Sequence, residues 1–114
     1  MTREELIQFY TRGHCMVMAY HLSQILDGEI VGIFDDVWNN VPRHVGLRTP
    51  SGNFIDARGT ELSLEAFLDG FVRNTGTRLG SMSGEDLQRI WSARDIEWVV
   101  PDEHLILLGL GADK

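Results

Sequence analysis

From His14 to Leu26 the chain reads HCMVMAYHLSQIL, set between Gly13 and an Asp27-Gly28 pair. This stretch limits the fold more than any other. It is long enough for a helix and carries little polar surface. A helix apolar on most sides must be buried on most sides, so the rest of the chain has to enclose it. Met18, Leu22, Ile25 and Leu26 form one stripe at helical spacing, and Met16, Ala19 and Tyr20 widen it. At its head stands Cys15, the single cysteine of the chain.

The flanking segments supply the enclosure. Thr2-x-x-Glu5 is a capping-box pattern and predicts a helix from Arg3 to Tyr10, with Leu6, Ile7 and Tyr10 facing inward. Glu29–Phe34 reads as a strand. Asp35–Pro42 is a polar connection carrying Trp38, in which the Asp35-Asp36 pair reads as a solvated turn. Arg43–Thr49 and Asn53–Ala57 read as strands joined through Pro50-Ser51-Gly52-Asn53, which makes them a hairpin. Ser63 suits the cap of a helix through Val72. Asn74–Ser81 reads as a flexible Gly- and Thr-rich loop; it lacks the Gly-Lys-Ser/Thr ending of a phosphate loop. Ser83 with Asp86 predicts a helix through Ala93, Ile96–Val100 a strand, and Pro101 the first position of a last helix carrying Leu105, Ile106 and Leu108. Helices first, then a strand and a hairpin, then mixed elements, make an α+β class and a single domain over 1–114.

Charge and cysteine content narrow the function. The net charge is -7 with the acids spread along the chain, which argues against nucleic acid or an anionic membrane as the main partner. It leans toward a basic or neutral partner. The opening MTREELIQFY has acids where a signal peptide needs basic residues, and no segment approaches the length of a membrane span. One cysteine makes neither an internal disulfide nor a multi-cysteine zinc site. The expectation is a soluble protein, cytoplasmic or exported by a route that needs no signal peptide, with no metal and no cofactor.

Cys15 admits two readings. A free cysteine is often a small core hydrophobe. Yet the first turn of a helix offers unpaired N–H groups and the positive end of the macrodipole, both of which favour a thiolate. The Cys15 N–H is also placed to help bind an oxyanion. A base for such a nucleophile is His44, at the start of a hairpin strand. Alternation puts His44, Gly46 and Arg48 on one strand face and Val45 and Leu47 on the other, so His44 need not be buried with its apolar neighbours. Asp56 falls roughly opposite His44 across a turn centred near Ser51, within reach of a hydrogen bond. Taken singly, His44 reads as a surface strand residue and Asp56 as a solvated strand end. Of the other histidines, His21 is expected to pack at a helix edge and His104 to face solvent.

Cys on a helix, His on a strand and an acid on the next strand resembles the papain-like cysteine peptidase superfamily, which includes NlpC/P60 amidases and transglutaminase-like enzymes. The likeness covers Gly13 to Gly59 and is clearest in HVGLRTPSGNFIDA, His44 to Ala57. His14 and Met16 flank the cysteine where NlpC/P60 proteins carry Asp or Ser, so the resemblance is to the wider superfamily. It implies a compact papain-like domain with the nucleophile helix packed on a small antiparallel sheet. It also implies Cys15 as nucleophile, His44 as base and Asp56 as orienting acid. Gln8 is the oxyanion donor implied by the family habit of a Gln shortly before the cysteine, with Asn39 and Asn40 as rivals. His14, Trp38 and Asn40 are candidates for the cleft. The implied activity is a small hydrolase working through a thioester on an amide, an isopeptide or a glutamine side chain of a protein or peptide, in a toxin, effector or phage-associated setting. Two alternatives stay open: a non-catalytic binding or inhibitor module keeping the fold, and a transglutaminase-like transferase or deamidase.

Overall fold

A computed structural model describes residues 1–92 and 95–110. Two helices open the chain, α1 (Arg3–Thr11) and α2 (Cys15–Ile25). The expected capping box is formed in α1: the Thr2 side chain accepts from Glu5 N–H, and the Glu5 carboxylate accepts from Thr2 N–H at 2.8 Å. Three strands follow, β1 (Glu29–Phe34), β2 (His44–Arg48) and β3 (Phe54–Asp56). After them come β4 (Gly59–Leu62), α3 (Leu64–Leu68), β5 (Arg78–Met82), α4 (Gly84–Ile90) and α5 (Asp102–Leu108). The strands form one antiparallel sheet in the order β4-β3-β2-β1-β5. The α+β class and the predicted hairpin are therefore present.

Both faces of this sheet are covered. On one, α2 lies along β2 with α1, α4 and α5 around it. Leu6, Met16, Met18 and Leu22 pack there with Val45, Leu47 and Ile55. On the other, Val31, Ile33, Phe54 and Phe67 form a smaller cluster, completed by Leu62, Leu68, Phe71 and Leu79. Gly46 lets this second layer close, since a Cβ there would run into the Phe67 ring.

Several expectations are corrected. Asn74–Ser81 is not merely a loop: Arg78–Met82 pairs with β1 as an edge strand. That pairing occupies the edge beside β1, and Ile96–Val100 forms no strand. It runs along α2 instead, where Val100 N–H donates to His21 Nδ1 and the Trp98 ring meets Tyr20 edge-on. β4 was not anticipated, because GTEL is too short and polar to announce itself. α3 stops at Leu68 rather than Val72: the chain turns at Gly70 with φ 88°, and Arg58 takes the carbonyls of Phe67 and Asp69. α4 ends at Ile90, and the expected end at Ala93 lies outside the described residues. Pro101 caps α5 instead of opening it. Ile25 and Ile106 are exposed, while His104 is partly buried and shares a 2.8 Å hydrogen bond with Tyr10 Oη. No described helix is long and apolar enough to cross a membrane.

Candidate active site

Cys15 is the first residue of α2 and 7% exposed. The Gly13 turn, at φ 129°, separates the two N-terminal helices and sets this helix start against the sheet. The thiol packs with the helix-side core, yet the backbone N–H of Val45, and those of Met16 and Cys15 itself, act on the sulfur. Burial is the larger effect: it pushes the thiol up to about 11 despite those N–H groups, and the nearby Asp56 charge adds to the rise.

His44 begins β2 and is fully buried. The expectation that its strand face would be open is overturned, because α3 and the following turn cover that face. Phe71 stacks on the imidazole at 4.1 Å between centroids, nearly parallel, and Phe67 lies against it at 5.4 Å. His44 Nε2 and Asp56 Oδ2 are 2.8 Å apart. The register differs from the one expected. Leu47 pairs with Ile55 and Arg48 with Phe54, so the extended ladder sets Asp56 against Gly46 and makes His44 its diagonal neighbour. The shift is two residues, which keeps both side chains on one face.

Arg58 was not anticipated as part of this site. Its Nε and Nη2 donate to the Asp56 carboxylate, the latter at 2.6 Å, and its backbone N–H donates to Oδ1 at 2.8 Å. Burial would raise the Asp56 carboxyl, but the bonds from His44 and Arg58 outweigh it and hold the group below its ordinary range. Asp56 is therefore an ionised acceptor, and the hydrogen of the shared bond must sit on His44 Nε2. Nδ1 is then a lone pair. It is buried and has no hydrogen-bond partner among the described residues. Burial, opposed by the Asp56 bond, lowers the His44 pKa, so the ring is neutral near pH 7.

A cleft of about 400 Å³ lies on the outer side of Phe71 and Arg58; Cys15, His44 and Asp56 do not line it. Its walls include Arg12 from the end of α1, Trp38, Arg43, Arg58 and Phe71. Trp38 is one of the lining residues. Its position is held by Asp35, which is buried rather than solvated. That carboxylate accepts from the Val37 and Trp38 N–H groups, from Arg43 Nε and from Asn74 Nδ2. The Trp38 N–H above all, with the Arg43 and Asn74 side chains, holds Asp35 well below the carboxylate range. Arg43 in turn lies over the Trp38 ring at 4.2 Å.

The remaining candidates separate. Gln8 is exposed on α1, one turn before Thr11 and Arg12, both of which line the cleft. Asn39 accepts from Arg78, and Asn40 is exposed in the connection after Trp38. His14 is not at this cleft. It stacks on Phe9 at 4.0 Å and lines a separate groove with Val17, Pro101 and His104. A basic residue two positions after a strand acid was the one signal for Arg58. Nothing local marked Phe71.

Neither a family model nor a curated protein nor a solved structure matches this chain.

Proposed function

We propose that the chain is a papain-like cysteine hydrolase whose reacting groups are Cys15, His44 and Asp56. The observation that carries this reading is the orphaned Nδ1 of His44. Leaving a buried polar atom unpaired costs about 1–3 kcal/mol, and folded proteins rarely accept that without a use for it. Here the Asp56 bond fixes the tautomer so that the lone pair sits on Nδ1. The next residue along the strand, Val45, has its N–H acting on the Cys15 sulfur. The residue that carries the acceptor nitrogen thus directly precedes the one whose N–H acts on the thiol, while Nδ1 itself makes no hydrogen bond to the sulfur in this structure.

In the reaction, Nδ1 takes the Cys15 proton as the sulfur attacks the carbonyl carbon. The resulting imidazolium is held by ionised Asp56 and then protonates the leaving amine. The N–H groups at the head of α2 face the developing oxyanion. Water resolves the thioester in a hydrolase or deamidase; an amine resolves it in a transferase. Substrate entry has to displace the Phe71 cover, which excludes water when closed.

The test is native-state alkylation of Cys15 by iodoacetamide from about pH 5 to 9, with His44→Ala beside it. General-base help of the usual size predicts a drop of about 10²-fold or more in the variant at neutral pH. A thiol inert until the protein unfolds would sink the proposal. One observation favours a second reading, a binding module with a structural cysteine: the thiol is almost wholly enclosed and raised to about 11. The same experiment separates the two.

A further inference from the structure

The chain carries a net charge of -7, yet the cleft outside Phe71 and Arg58, next to the site, is basic. Four arginines line it, Arg12, Arg43, Arg58 and Arg73, against one carboxylate, Asp69. Two of the four are engaged, Arg43 with Asp35 and Arg58 with Asp56. Arg12 and Arg73 are exposed, and neither guanidinium has a hydrogen-bond or ion-pair partner among the described residues. Unpaired guanidinium forks held apart on two walls of one cleft suit planar oxyanions such as carboxylates.

Arg73 also links the cleft to a second depression, of about 550 Å³, bordered by Val37 and Val72. Both valines are more than half exposed. The two depressions, which meet at Arg73, therefore offer cations in one and apolar side chains in the other. A nucleic acid needs a longer track of cations, and the rest of this surface is acidic.

We propose that these two depressions together seat an acidic peptide segment. Its carboxylates pair with Arg12 and Arg73, and an apolar side chain lies against Val37 and Val72. The proposal deepens the hydrolase reading, since it names that site's substrate class, and it replaces the basic or neutral partner suggested by net charge alone.

Fluorescence anisotropy of a dye-labelled peptide of alternating Glu and Leu, titrated into Cys15→Ala protein, reads the affinity without turnover. Saturable binding is expected, weakening as salt rises between about 50 and 200 mM. It should fall about tenfold or more in the Arg12→Ala/Arg73→Ala protein and equally when Gln replaces Glu in the peptide. Equal binding of the Glu and Gln peptides, an unchanged affinity in the double variant, or preferential displacement by oligothymidylate or inorganic phosphate would overturn it. The outcomes are separable from those of the alkylation test. An inert thiol with an intact isotherm removes the hydrolase and keeps the peptide site; a reactive thiol with no isotherm does the reverse.

Discussion

Aliphatic and methionine side chains from two long helices cover one face of the sheet, while a five-residue helix and a set of phenylalanine rings cover the other. Among the described residues the helix face holds no buried charge. Its contacts are many and non-directional, and losing one leaves the others in place. The aromatic face encloses His44 and Asp56, with Arg58 bridging Asp56 to the carbonyls of Phe67 and Asp69. Its closure depends on a few directed bonds and on the Phe71 ring. Cys15 belongs to the thick side by packing, and to the thin side by the strand start and the carboxylate that act on its sulfur. The hydrolase reading requires access to the thiol, and the Phe71 ring over His44 is the cover it names.

The largest effect should come from removing the directed bonds. Asp56→Ala leaves the Arg58 charge and the His44 ring unpaired, and about 3–5 kcal/mol of unfolding free energy should be lost in a denaturant titration. A loss under about 1 kcal/mol would mean that the pair is solvated and the two faces are closed alike.

The pH dependence of stability should split the faces next. Cys15 ionises at about 11 when folded, against 9.0 ordinarily, so the unfolded chain releases its proton first. Stability should drop by about 2–3 kcal/mol as pH rises from 9 to 11, and Cys15→Ala should remove that drop. His44 and Asp56 have the opposite sign. Both are depressed in the folded state, so the unfolded chain takes up their protons first. The stability contributed by this pair should be full above 6.5 and decline as pH falls through the folded value of His44, then further as Asp56 protonates below 3.8. A His44→Ala protein that kept the whole decline between pH 6.5 and 4 would remove the buried ring as its source.

The smallest effect is the most specific. Phe71 is half-buried, so Phe71→Ala should cost only about 1–2 kcal/mol of cover, yet it should raise native alkylation of Cys15 about tenfold. An unchanged rate would show that reagent reaches the sulfur from elsewhere and that the thin face is not the entrance.

Much of this architecture was legible locally. The Thr2–Glu5 box, the apolar run headed by Cys15, the β1 sequence EIVGIF and the turn at Pro50–Asn53 each depend on residues a few positions apart, and each formed. So did the shared face of His44 and Asp56, because side-chain parity survives any even shift of register. What neighbours in sequence do not encode was missed or misplaced. The register, the burial of His44, the engagement of Arg58, the ring of Phe71 and the buried carboxylate of Asp35 all depend on chain segments brought together from afar. Net charge likewise says nothing about where the arginines gather.

The sequence alone determined which residues stand at the head of α2 and on one face of the hairpin, since capping, periodicity and turn chemistry act within a few residues. The tertiary structure alone decided that His44 would be a buried imidazole with an unpartnered nitrogen among the described residues, that Cys15 would be a desolvated thiol, and that arginines would line a cleft outside Phe71. Desolvation and Coulomb forces are summed over everything that packs around a group, and that environment exists only once the chain has folded.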